Sequence, residues 1–374
     1  MRTAIVHYWL LNSRGGEAVL EGLCRLVPDA DLFTLFYDPK NIRPTIRSHR
    51  VQVSFLNPLR RWYRELLPLM PLALESFDLS GYDLVISSES GPAKGVLVPS
   101  QARHICYCHT PMRYLWELYP QYVREFAHSR LKGALMAPVS NYLRLWDYAT
   151  AARVDEFIAN SENVRQRIWR CYRRHAEVVY PPVALETFRW EAPEDFYLVV
   201  SELVAYKRID RAVQVFSRTG RKLRIVGDGP EYRRLRGLAT GSIEFCGRIS
   251  DDALRETYAR CRALVIPGEE DFGITAVEAM ASGKPVIALG RGGVLESVTH
   301  EGGVLYREPD EAHLQRAVEQ FERDERMFQP GDLQRRATRF SQDEFARKMG
   351  AVLAGSSPER TQQDPDIRAE AANA

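Results

Sequence analysis

Short apolar runs alternate with stretches of helical periodicity along most of the chain, as at Ala4-Ile5-Val6, Leu84-Val85-Ile86, Leu198-Val199-Val200 and Val286-Ile287-Ala288. A strand that is apolar on both faces has to be covered on both faces. The alternation therefore predicts an α/β architecture with mainly parallel sheets flanked by helices. Candidate strands fall at 2–8, 32–36, 83–87, 103–108 and 156–159, and again at 196–201, 222–226, 243–245, 263–266 and 285–288. Helices are expected near 207–218, 230–239, 250–260, 273–282 and 309–323. Two doubly wound units follow, and 374 residues at 45% hydrophobic content suffice for two cores. Their seam is expected at Tyr180-Pro181-Pro182-Val183, because consecutive prolines stop regular structure and stiffen a connection. The expected domains are thus 1–180 and 181–340. A helix over 341–354 then presents Phe345, Met349 and Val352 on one face, and a polar, disordered tail occupies 355–374.

Charge and cysteine usage remove several function classes. Fifty-one Lys and Arg against 49 Asp and Glu leave a net charge of +2, too even for a nucleic-acid binder. The opening Met1-Arg2-Thr3-Ala4-Ile5-Val6 lacks the apolar stretch of a signal peptide, and no apolar run reaches membrane-spanning length, so a cytoplasmic protein is expected. Six cysteines, at 24, 106, 108, 171, 246 and 261, show no paired spacing and are expected to be reduced and mostly buried. Cys106-Tyr107-Cys108-His109 has the composition of a metal site, but strand alternation puts the two thiols on one face and the imidazole on the other. No metal site is expected.

Glu270 and Glu278 flank Asp271-Phe272-Gly273-Ile274-Thr275-Ala276-Val277, where a loop is expected to turn into a helix near Gly273 and stop at Ser282-Gly283. The unpaired amides and positive dipole end of such a helix favour an anion. A carboxylate at the same place would repel a phosphate, so both glutamates suit neutral hydroxyls. Glu278 lies about 7 Å further along the axis than Gly273. The pair fits the two ends of a sugar diphosphate nucleotide. As a purely structural feature the same pattern is a capped helix with acidic residues near its start.

The longer run Pro267-Gly268-Glu269-Glu270-Asp271-Phe272-Gly273-Ile274-Thr275-Ala276-Val277-Glu278-Ala279-Met280-Ala281-Ser282-Gly283-Lys284-Pro285-Val286-Ile287-Ala288 resembles the signature of family 4 (group 1) retaining glycosyltransferases. The resemblance extends over roughly 1–350 and implies the GT-B fold, two doubly wound Rossmann-like domains facing a central cleft. It also implies that the helix over 341–354 returns to the N-terminal, acceptor-binding domain, with the nucleotide sugar held by the C-terminal one. By the same resemblance Glu270 and the amides of Phe272, Gly273 and Ile274 orient the donor sugar, and Glu278 binds the ribose.

Other segments match the family in turn. Asn12-Ser13-Arg14-Gly15-Gly16-Glu17 follows the first candidate strand and opens a helix, and the resemblance places the amides of Gly15 and Gly16 toward the diphosphate and acceptor. His109 closes a strand and begins His109-Thr110-Pro111-Met112-Arg113-Tyr114-Leu115-Trp116, which is similar to a segment of bacterial mannosyltransferases of O-antigen and exopolysaccharide synthesis. There the histidine touches the transferred sugar. In Ser201-Glu202-Leu203-Val204-Ala205-Tyr206-Lys207-Arg208, Lys207 matches the lysine that holds the leaving diphosphate. Glu202 stands where the family usually has an arginine, which leaves Arg208 or Arg14 to compensate. Gly227 in Val226-Gly227-Asp228-Gly229-Pro230-Glu231, and Arg248 and Ile249 in Cys246-Gly247-Arg248-Ile249-Ser250, are implied in the base pocket. As structure these are strand-to-helix turns, with Asp228 and Ser250 as helix caps.

The implied activity is retaining, metal-independent transfer of a hexose, mannose from GDP-mannose foremost, onto a glycan or lipid-linked acceptor in envelope polysaccharide synthesis. No cofactor beyond the nucleotide sugar is implied. Two alternatives stay open: a sugar-nucleotide epimerase of the same fold, and a non-catalytic donor-binding partner subunit, the latter because of Glu202. Finally, Phe55-Leu56-Asn57-Pro58-Leu59-Arg60-Arg61-Trp62-Tyr63-Arg64 and the residues after it mix arginines with aromatics and leucines. That mixture suits either helix packing or an anionic membrane at the inner face, with Arg60, Arg61 and Arg64 beside the acceptor.

Overall fold

The computed structural model describes residues 1–11, 15–126 and 130–356. They form two compact units, Met1–Pro181 together with the chain from Phe345 onward, and Pro182–Glu344. The expected tail lies outside the described residues from position 357 onward.

In the first unit the strands are β1 (Thr3–His7), β2 (Asp31–Thr34), β3 (Val51–Val53), β4 (Leu84–Glu89), β5 (Arg103–Cys108), β6 (Glu156–Ala159) and β7 (Ala176–Val178). They form one parallel sheet in the order β3-β2-β1-β4-β5-β6-β7. All five residues of β1 are buried, as its unbroken apolar run requires. Ile5 enters the core formed with Val19, Leu20 and Leu23 of the helix Gly15–Leu26, while Ala4 and Val6 enter a second core on the opposite face. Each large apolar side chain so buried stabilises the fold by about 1.5–3 kcal/mol. Phe345, Met349 and Val352 of the helix Gln342–Leu353 join the Ile5 core. The last carbonyls of that helix, Val352 O and Leu353 O, accept from Arg103 at 2.7 and 3.0 Å. The same guanidinium grips Glu156 with two hydrogen bonds of 2.8 and 2.7 Å.

In the second unit β8 (Tyr197–Val200), β9 (Leu223–Val226), β10 (Ile243–Gly247), β11 (Leu264–Ile266), β12 (Val286–Leu289) and β13 (Gly303–Tyr306) form a parallel sheet in the order β10-β9-β8-β11-β12-β13. Its core gathers Tyr197, Val199, Val213, Phe216, Ile225 and Phe321. Sequence periodicity does not show β3, β7 or β13. All three are edge strands of three or four residues, too short for alternation to register. All six cysteines are free thiols; Cys246 is half-buried and the others are buried. Among the described residues no helix is long and apolar enough to cross a membrane.

Candidate functional site

Counted from its own first strand, the second sheet runs 3-2-1-4-5-6, so the winding reverses between β8 and β11. The crevice at the carboxyl ends of those two strands is where open parallel sheets take ligands. Beyond β8 the chain makes the turn Ala205–Lys207, passes through Arg208 in a left-handed conformation (φ 53°) and enters the helix Ile209–Thr219. Beyond β11 it runs through Pro267–Gly273 into the helix Ile274–Ala281. Lys207 Nζ donates to Glu270 Oε2 across this switch point, joining two of the residues singled out in the sequence. Burial works against the Lys207 charge, but Glu270 more than offsets it and holds the ammonium above the ordinary lysine range. A Cβ at Gly268 would lie 2.5 Å from Lys207 O, so only glycine lets the two loops meet this closely.

Gly273 sits at the N-cap with φ 85°, a conformation that favours glycine, and starts a helix whose first amides lack intrahelical partners. The Glu270 side chain lies against it, its Cβ 3.5 Å from where a Gly273 Cβ would stand. Glu270 O accepts from Gly293 N at 2.8 Å, and a Cβ on Gly293 would reach within 2.1 Å of Asp271 O. The carboxylate loop is therefore wedged between the Lys207 turn and Gly292-Gly293. Glu278, one face of the helix further on, accepts from the Tyr258 hydroxyl at 2.8 Å. Burial, reinforced by Glu278, keeps that phenol protonated far above its usual range. The Phe272 ring is buried against Phe340, 5.4 Å between centroids.

The remaining residues that the resemblance ties to the donor line the same edge of the sheet. A Cβ at Gly227 (φ 133°) would fall 1.8 Å from Ser201 O, and Gly227 N donates to Gly247 O at 2.8 Å, so the turns after β8, β9 and β10 touch through backbone. Arg248 is exposed and Ile249 half-buried in the turn after β10. Ser250 caps the helix Asp251–Arg260 through Ala253 N. Asp228 does not cap: its carboxylate accepts from Gly229 N at 2.7 Å, and the next helix begins only after Glu231, beyond its reach. Arg208, expected to compensate for Glu202, spends its guanidinium on Asp210 in two bonds of 3.1 and 3.2 Å. Arg14 lies outside the described residues.

In the first unit the winding reverses between β1 and β4. Gly15 and Gly16 open the helix that follows β1, and His109 follows β5 directly. His109 N donates to Glu89 O at 2.7 Å, its Nε2 is 3.0 Å from Ser88 Oγ, and its ring lies 5.2 Å from that of Tyr107. A Cβ at Gly16 would stand 3.7 Å from His109 Nε2 and 2.9 Å from the Tyr8 hydroxyl. Gly16 and His109 thus share one place.

Sequence reasoning missed what lies beneath. Lys94, wholly buried, is paired with Asp147 and lies 3.3 Å from Glu89. Asp147 also accepts from Trp116 Nε1 at 2.7 Å and from the Tyr172 hydroxyl at 3.0 Å. Burial, against the pull of Lys94, pushes the Glu89 carboxyl up to about 7. The signal was the polar run Ser87-Ser88-Glu89 ending an otherwise apolar strand.

Arg60, Arg61 and Arg64 are exposed in and after the turn Asn57–Trp62. Around them Phe55, Leu59, Trp62, Leu69 and Leu72 are 47–63% exposed, while Leu56 and Met70 are buried in the core and Tyr63, Leu66 and Leu67 pack against it, so the segment packs on one face and exposes apolar side chains on the other. Among the described residues no group of three or more His, Cys, Asp or Glu is arranged to hold a metal ion.

Comparison with known proteins bears on these arrangements. Residues 15–187 match the model described as Glycosyltransferase Family 4, and residues 186–343 the model described as Glycosyl transferases group 1. An uncharacterised glycosyltransferase of Methanocaldococcus jannaschii is 31% identical over 156 residues, 40% of this chain and 44% of the relative, so the match spans less than half of that protein. An alpha-1,3/1,6-mannosyltransferase of Mus musculus is 24% identical across 78% of this chain and 80% of its own. A GDP-mannose-dependent phosphatidylinositol dimannoside mannosyltransferase of Mycobacterium tuberculosis is 29% identical over 41% of this chain and 46% of its own. Among solved structures, Anabaena HepE in complex with UDP superimposes with a TM-score of 0.68 at 16% identity, covering 95% of this chain and 100% of the other. Two parallel Rossmann-like sheets of this kind are the GT-B pattern, and the chain belongs to the group 1, family 4 glycosyltransferases.

Proposed function

We propose that the protein transfers a hexose, mannose from GDP-mannose foremost, with retention of configuration and without a metal, onto a glycan or lipid-linked acceptor of an envelope polysaccharide. The observation that carries this is the Lys207–Glu270 pair at the switch point, beside the start of the helix Ile274–Ala281. The amides of Phe272, Gly273 and Ile274 and the Lys207 ammonium take the diphosphate, Glu270 takes sugar hydroxyls, and Glu278, held by Tyr258, takes the ribose. Gly227, Arg248 and Ile249 border the base. His109 takes a hydroxyl of the transferred sugar, with Gly15 and Gly16 turned to diphosphate and acceptor.

As the bond from the anomeric carbon to the phosphate oxygen breaks, negative charge collects on the leaving phosphate, where Lys207 and the amides stabilise it. The acceptor hydroxyl attacks from the same face and gives its proton to that phosphate, which preserves the configuration. Mannose draws support from the Mus musculus and Mycobacterium tuberculosis mannosyltransferases, and the guanine base from the second, which is GDP-mannose-dependent. The UDP-bound HepE makes UDP sugars the informative control. Mass spectrometry of products from GDP, UDP and ADP sugars with lipid-linked acceptors tests the assignment. Lys207→Ala and Glu270→Ala are each expected to lose transfer by about 10²–10³-fold while remaining folded. A folded variant working at the wild-type rate removes that residue from the scheme.

A second reading, donor binding without turnover, is favoured by Glu202 and by the capture of Arg208 by Asp210. Under it Glu202→Arg gains turnover that the natural chain lacks. We also place the enzyme on the cytoplasmic face of the membrane, held by Phe55, Leu59, Trp62 and Leu72 with Arg60, Arg61 and Arg64 against anionic headgroups. Flotation with anionic liposomes should weaken in the triple Arg→Ala variant; equal flotation defeats the assignment.

A further inference from the structure

We propose that Glu17, His7 and Ser88 form a polarised relay, one electrostatic step followed by two hydrogen bonds, that fixes which ring nitrogen of His109 carries its proton; the proposal rests on the assignment of His109 to a sugar hydroxyl. His7 ends β1 and lies opposite Ser88 in the parallel register with β4. His7 and Ser88 are wholly buried, and Glu17, in the first turn of the helix Gly15–Leu26, is 2% exposed. His7 Nδ1 is 3.1 Å from Ser88 Oγ, and Ser88 Oγ is 3.0 Å from His109 Nε2. On the far side of the His7 ring, Glu17 Oε1 stands 3.9 Å from Nε2, too far for a hydrogen bond but near enough for its charge to act on that buried nitrogen, which has no hydrogen-bond partner among the described residues.

One serine proton lies between two imidazoles, so it can be donated to only one of them. The Glu17 carboxylate, at the dipole end that favours it, stabilises the His7 tautomer with its proton on Nε2. His7 Nδ1 is then an acceptor and takes the Ser88 proton. Ser88 Oγ in turn accepts from His109 Nε2–H. With both rings neutral, His109 Nδ1 carries the lone pair and meets a sugar hydroxyl as acceptor. Burial reinforces the direction, because reversing it would turn the desolvated His7 Nε2 lone pair toward the Glu17 carboxylate, acceptor against acceptor.

Nitrogen-15 NMR of the histidine-labelled full chain at pH 8 tests this, with the His109 signal among eight histidines assigned from His109→Gln. The expected wild-type signature is the Nε2–H form. Ser88→Ala and, should that variant fail to fold, Glu17→Gln are each expected to convert it to a mixture of both forms. A wild-type Nδ1–H signature, or an unchanged Nε2–H signal in a folded Ser88→Ala or Glu17→Gln protein, overturns the relay. Donor kcat/KM of Ser88→Ala should fall on the order of tenfold. A shifted tautomer with wild-type transfer upholds the relay and instead removes His109 from the sugar site.

Discussion

The two switch points are built by opposite means. In the first unit, side chains from three strand ends, His7, Ser88 and His109, meet in a dry place and bond one another. In the second, backbone meets backbone at glycines, and a side-chain link across the reversal, Lys207 to Glu270, is part-exposed. The first arrangement is suited to orienting a neutral group, since its two serine hydrogen bonds give the imidazoles a direction. The second is suited to an anion, because a helix begins there beside a part-exposed ammonium.

That contrast can be broken most forcefully at the two lysines. Lys94→Met leaves Glu89 and Asp147 buried without their cation and should cost about 3–5 kcal/mol in chemical denaturation. Lys207→Met, whose carboxylate partner reaches water, should cost about 1 kcal/mol or less. Equal losses would mean that the second pair is as structural as the first.

Glycine substitutions sharpen the same comparison at smaller scale. Gly293→Ala drives a methyl into the backbone of Asp271 and Phe272 and should destabilise by about 1–3 kcal/mol, with weaker donor binding by calorimetry. Gly16→Ala meets only the end of Tyr8 and the edge of His109, and should stay within about 1 kcal/mol of the natural chain. A costly Gly16→Ala would show that the first switch point also depends on close backbone.

The pH response of Glu89 probes the buried pair of the first unit by titration. Its carboxyl titrates near 7 in the fold, above its unfolded value, so the folded chain holds the proton more tightly. Stability should fall as pH rises from about 4.5 to 7, and the full penalty should persist above that range. Glu89→Gln should flatten this slope and raise the melting temperature at pH 8, with little change at pH 4. An unchanged slope would show that Lys94 already neutralises the carboxylate throughout.

Much of the architecture was legible because its causes are local. Residues 103–108 and 156–159 alternate or run apolar as buried strands must, and both coincide with β5 and β6. Asp228 misled because a cap needs the helix to start beside it, and Pro230 and Glu231 delay that start. Arg208 looked available because its neighbour Asp210 reads, in sequence, as an ordinary first-turn acid.

Sequence alone determined where the longer strands, the helices of the second unit and the glycine turns would fall, since periodicity, proline and glycine act over a few residues. Only the tertiary structure decided that Lys207 meets Glu270, 63 residues later, and that His7 meets Ser88, 81 residues later. Strand order and register arise from burying whole sheets at once, and no short-range preference encodes them.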